Sequence, residues 1–122
     1  GENIKKLCDA PLQNYSGQTT LPELACLLVK SQILISNETG TAHIANALGT
    51  PTVCILGGGH FGRFAPYPEL SGGINRLKVV YHKMPCYGCD WNCVYHIKEG
   101  EPAPCISNIS VDVVWNEVKL LL

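Results

Sequence analysis

The chain has 122 residues, 46% of them hydrophobic and 16% charged, with 9 Lys and Arg against 10 Asp and Glu for a formal charge of −1. That length holds one small domain and excludes two independent cores. The composition argues against disorder, the charge against nucleic acid as a partner, and the longest apolar run, the six residues Leu24 to Val29, against a membrane span, which needs ~20.

The first clear element is an amphipathic helix from Thr20 to Lys30. Thr20 and Glu23 stand three apart as a capping box, and Pro22 sits in the first turn, where its missing N–H costs little. Leu21, Leu24, Ala25, Leu28 and Val29 then recur at helical spacing. Ile33 to Ile35 is too short for a helix and suits a buried strand. Glu38, Thr39 and Gly40 form a tight turn. Thr41 to Leu48 reads as a short helix, closed by Gly49 and by Pro51 two residues later. Thr52 to Leu56 is a second strand, stopped by Gly57, Gly58 and Gly59. Strand, helix and strand in so few residues make a βαβ unit, which predicts an α/β fold with a parallel sheet covered on both faces.

Residues 60–73 read as a long surface loop, and Leu77 to Tyr81 as a third strand. The segment 85–105 has no periodicity. Ser110 caps a last helix, about 110–122, that carries Val111, Val114, Trp115, Val118 and Leu121. Three strands are few for a doubly wound sheet, and the chain opens without a good first strand. Residues 1–122 are therefore expected to form a single, partial domain, the C-terminal part of a larger chain.

Seven cysteines are present, an odd number, and GENIKKLCDAPLQ at the N-terminus is not a signal peptide. Together these favour a reducing compartment. Cys26 and Cys54 lie in apolar runs and are expected to be buried, inert thiols. Cys86, Cys89, Cys93 and Cys105 crowd one stretch. Their spacing is not the paired CxxC…CxxC of a strong zinc signature, so reduced thiols packing an irregular loop are expected, with a non-catalytic zinc-binding or interaction module as the alternative.

Chemistry in an open parallel sheet lies beyond the carboxyl ends of the strands, here NETGTAH and GGGHFGR. At the first, Gly40 permits close backbone approach, Thr39 and Thr41 offer hydroxyls and amides, and a helix N-terminus follows, an arrangement suited to a diphosphate. His43 could donate to the same group. The alternative is a helix cap with no ligand. At the second, Gly57 to Gly59 with Arg63 read either as another anion site or as a mobile surface loop.

The series SNETGTAHIANALGTPTVCILGGGHFGRFAPYP resembles the donor-binding domain of glycosyltransferase family 9, the heptosyltransferases of lipopolysaccharide core synthesis. The likeness extends over most of residues 20–120. It implies a GT-B architecture of two Rossmann-like domains, of which this is part of the C-terminal one. The implied partners are a nucleotide-sugar of ADP-heptose type and a glycolipid or glycan acceptor held by an N-terminal domain that also supplies the catalytic base. By position, Glu38, Thr39, Gly40, Thr41, Ala42, His43 and Arg63 would bind the donor, with no cofactor and no divalent metal. Glu38 stands where the family usually has Asp, and GGGHFGR replaces its usual Gly-Pro-Thr-Asp. The resemblance further implies a cytoplasmic enzyme, peripheral to the inner membrane, and a fragment inactive by itself.

Overall fold

The computed structural model describes residues 2–68 and 76–122. The chain begins with a short exposed helix, α1 (Glu2–Lys6), where no regular element is expected from sequence. Helix α2 (Leu21–Lys30) follows, its entry fixed by Glu23, whose carboxylate accepts from the Thr20 amide at 2.8 Å and from the Thr20 hydroxyl at 2.7 Å. Then come β1 (Leu34–Asn37), α3 (Gly40–Ala47), β2 (Thr52–Ile55), β3 (Leu77–Val80), α4 (Pro104–Ser107) and α5 (Val111–Leu121). Of the loop expected over 60–73, residues 69–73 lie outside the described residues.

The three strands form a parallel sheet in the order β1-β2-β3, with Leu34 opposite Thr52 and Thr52 opposite Leu77. Side chains alternate across it. On one face Cys54, Leu56 and Leu77 pack with Ala42 of α3 and Ala65; on the other Val53 and Val80 pack with Val114, Val118 and Leu121 of α5. This is the Rossmann-like layering the βαβ pattern predicts. No helix among the described residues is long and apolar enough to cross a membrane.

Helix α3 ends as its sequence dictates. Gly49 takes φ of +82°, its amide donating to Asn46 O at 3.0 Å and that of Thr50 to Ala45 O at 2.9 Å. These paired bonds satisfy carbonyls the last turn leaves open. Buried Thr50 then donates its hydroxyl to Leu28 O at 2.9 Å, tying α3 to α2.

Four expectations need correction. Ile35 is 48% exposed because β1 is an edge of the sheet among the described residues and α5 packs mainly over β2 and β3. Cys26 is exposed on α2, although it lies in an apolar run, whereas Cys54 is fully buried as expected. Val111 and Trp115 are exposed because they fall at the margin of the stripe that Val114, Val118 and Leu121 turn to the sheet. The loop after β2 is not purely superficial, since Ala65 is fully buried and Tyr67 packs on the core.

Candidate functional site

Both candidate loops leave from the carboxyl end of the sheet. After β1 the Glu38 amide still bonds Ile55 O at 3.2 Å, which holds Glu38 at the rim. Thr39 is extended, with φ −146° and ψ 170°, and its side chain does not cap α3; its Oγ1 lies 3.4 Å from Ser36 Oγ instead. Among the described residues no acceptor meets the amides of Gly40 or Thr41. Thr39 and Gly40 are exposed, and a Cβ added at Gly40 would find nothing within 4 Å. The partial positive end of an eight-residue helix thus opens outward with unpaired donors, the condition for holding an anion.

Ala42 does not share in this. It is fully buried and its amide bonds Thr39 O at 3.0 Å, so it supplies packing rather than a free donor.

His43 also differs from expectation. Its Nε2 stands 3.0 Å from Glu38 Oε1, and its Nδ1 contacts the Tyr67 hydroxyl. Both ring nitrogens are taken, so the imidazole orients neighbours and does not point a free N–H at a ligand. Burial, and after it the nearby Cys54 thiol, pushes the Tyr67 hydroxyl above the usual phenol range, which keeps it a donor. With Tyr67 donating to Nδ1, a neutral imidazole carries its proton on Nε2 and gives it to Glu38. Sequence reasoning misses Tyr67; its one signal is a lone tyrosine between prolines in the segment that returns from β2.

The second loop is a different object from either reading of it. Gly57, Gly58 and Gly59 are buried, neither a mobile surface nor an anion cradle. A Cβ would stand 2.4 Å from Tyr87 Cδ1 at Gly58 and 2.4 Å from Trp91 Cδ2 at Gly59. The Gly58 and Gly59 carbonyls accept from Gly88 at 2.8 Å and Asp90 at 3.0 Å. Three glycines are needed because the Cys-rich segment lies directly on this backbone, its aromatic rings where side chains would be.

Arg63 is 64% exposed, 3.8 Å from Asp90 Oδ1 and 5.2 Å above the Phe64 ring centroid. His60 Nε2 reaches the same Asp90 oxygen at 2.7 Å. Among the described residues no hydrogen bond or ion pair joins Arg63 to the Thr39–His43 group; its partners are Asp90 and the Phe64 ring. The cysteines of 85–105 form no disulfide.

Against known proteins, residues 1–89 match the model of glycosyltransferase family 9 (heptosyltransferase). The match begins before residue 20 and ends well before 120, leaving Cys93, Cys105 and α5 outside it. The chain is similar to the lipopolysaccharide core heptosyltransferase OpsX of Haemophilus influenzae, 34% identical over 74 residues, which are 61% of this chain and 21% of that protein. It is similar also to lipopolysaccharide heptosyltransferase 2 of Escherichia coli K12, 29% identical over 72 residues, 59% of this chain and 20% of that protein. The matched stretch spans about one fifth of the length of these relatives. No solved structure matches significantly.

Proposed function

Because the chain belongs to glycosyltransferase family 9, the heptosyltransferase family, we propose that it is the nucleotide-sugar-binding part of an inverting transferase of lipopolysaccharide core or related glycan synthesis. The observation that carries this reading is the open N-terminus of α3, where the Gly40 and Thr41 amides meet no acceptor among the described residues and Thr39 and Gly40 are exposed. A departing nucleoside diphosphate gathers negative charge, and preorganised amides at a helix N-terminus stabilise that charge without a divalent metal.

In this reading Thr39, Gly40 and Thr41 hold the diphosphate of an ADP-heptose-like donor. His43 is a positioning residue, fixed by Tyr67, that sets the Glu38 carboxylate at the rim. One Glu38 oxygen is engaged by His43 and the other is left to accept from a donor-sugar hydroxyl. Ala42 packs beneath the site and Arg63 serves elsewhere. The acceptor and catalytic base come from another part of a GT-B enzyme, cytoplasmic and peripheral to the inner membrane, so the chain alone binds donor without transferring it.

Isothermal titration of the chain with ADP tests the reading, with adenosine as the control lacking phosphate. Binding that depends on the diphosphate and is weakened at Gly40→Ala supports it. Equal, negligible heats for both ligands, in the chain and in the full-length parent, would overturn it.

A further inference from the structure

We infer that the outer face of Trp91, with Asp90 and Arg63 beside it, is a stacking platform for an uncharged pyranose ring of a glycan. Under the proposed function that ring belongs to the acceptor. The binding itself does not rest on the donor reading, and either can fail alone.

Trp91 lies face-down on the triple glycine. A Cβ on Gly59 would stand 2.4 Å from its Cδ2 and 2.5 Å from its Cε2, the two atoms the indole rings share, which are approached so closely only across a ring face. A Cβ on Gly57 would stand 2.9 Å from its Cη2. The glycines beneath are buried, yet Trp91 is 52% exposed, so the opposite face is the one open to water. The ring is held there: the Asp90 amide donates to Gly59 O at 3.0 Å, and His60 meets the indole in a T-shaped contact with centroids 5.9 Å apart. Packing alone buries most of a tryptophan; this one is flat, supported and half uncovered.

The backbone shows that the placement is imposed. Asp90 and Trp91, consecutive and not glycine, hold φ of 51° and 62°. Bulky residues keep such a backbone only where their surroundings over-determine it, and positions of this kind cluster at ligand-binding sites. The Asp90 side chain is 74% exposed; its Oδ1 meets His60 Nε2 at 2.7 Å and Arg63 Nη1 at 3.8 Å. Among the described residues none donates to Oδ2. Arg63 is exposed too, its guanidinium held over the Phe64 ring.

An apolar ring face, a carboxylate oxygen without a donor and a guanidinium are complementary to a pyranose. Its axial C–H groups, weakly positive, meet the negative face of the indole. Its hydroxyls both donate and accept, so one donates to Asp90 Oδ2 and another accepts from Arg63. The charges of Asp90 and Arg63 offset each other, which leaves little field for a phosphate or carboxylate and favours a neutral ring. The loop that carries Arg63 leaves β2 at the same end of the parallel sheet at which Thr39 to His43 leave β1.

The ¹⁵N-labelled chain has two indole N–H signals, from Trp91 and from the exposed Trp115 of α5, which serves as the internal control. Trp115→Phe assigns them. Titration with methyl pyranosides of gluco, galacto, manno and manno-heptose configuration should shift the Trp91 signal with at least one of them, saturating at roughly millimolar concentration, and leave the Trp115 signal in place. Arg63→Ala, a surface change, should weaken that binding about threefold. Trp91→Ala should abolish it. Because Trp91→Ala can dislodge its segment from the glycines, the signals of the unsubstituted chain are the independent readout, and ADP binding is read separately by calorimetry. A Trp91 signal that stays still with every pyranoside up to about 50 mM, or moves no more than that of Trp115, overturns the inference. So does a Trp91 signal that moves with adenosine and with no sugar, which would make the surface a stacking site for a base.

Discussion

His43 Nε2 lies 3.0 Å from Glu38 Oε1 at the carboxyl end of β1, while the opposite ring nitrogen is occupied by Tyr67. The imidazole therefore links the loop after β1 to the loop after β2. Removing it leaves the half-buried Glu38 carboxylate without a partner, so His43→Ala should weaken binding of an ADP-heptose-like donor about tenfold in titration calorimetry, the scale of a charged group left unpaired. Tyr67→Phe removes the hydroxyl that orients the ring, together with its bond to Asn46, and a loss of about threefold is expected. If both variants bind as the parent does, the triad has no part in holding the ligand.

Gly40 and Gly58 make opposite predictions from the same substitution. At Gly58 a Cβ would stand 2.4 Å from the Tyr87 ring, so Gly58→Ala should displace the Cys-rich segment and lower stability by about 1–3 kcal/mol in urea unfolding. At Gly40 a Cβ meets nothing within 4 Å. Gly40→Ala should leave unfolding unchanged within about 0.5 kcal/mol and yet reduce ADP affinity, because the new methyl occupies the ligand's approach. Loss of stability at Gly40, or none at Gly58, would contradict the assignment of one loop to ligand and the other to packing.

The end of α3 gives a purely structural prediction. With φ at +82°, Gly49 occupies a backbone region that alanine enters only with strain. Gly49→Ala should cost about 1 kcal/mol in thermal or urea unfolding. An unchanged midpoint would mean that the turn relaxes into another conformation.

What could be read from sequence follows the range of the interactions involved. Helix α2, its Thr20–Glu23 cap, the Gly49 stop and the presence of three strands are written in local spacing, and the structure carries them all. The open amides after Thr39 are local as well. Tyr67 meeting His43 across 24 residues is not, nor is Asp90 meeting His60 across 30. The triple glycine is ambiguous in sequence for the same reason: its purpose lies in Tyr87 and Trp91, which reach it only once the chain has folded back from β3. Exposure of Ile35 and Cys26 likewise depends on which elements cover β1 and α2, and hydrophobic periodicity does not carry that.

The fully buried Cys54 makes stability depend on alkaline pH. Burial, and secondarily the Glu38 charge, pushes its thiol up to about 11 from an ordinary 9.0. The group is neutral when protonated, so its raised value means that the unfolded chain ionises first as pH climbs. Below about pH 9 neither state is ionised there and nothing is lost; between about 9 and 11 the unfolded state alone gains from releasing the proton. Stability should therefore fall through that window, the thiol's share reaching roughly 2 kcal/mol by pH 11. Tyr67 and Tyr87, both raised chiefly by burial, add losses of the same sign. Cys54→Ala separates the contributions: it should start less stable at neutral pH, having lost a packed sulfur, and then decline less steeply in urea unfolding followed from about pH 8 to pH 10.5. Equal slopes for the two proteins would show that the thiol at the centre of β2 is free to ionise in the folded chain.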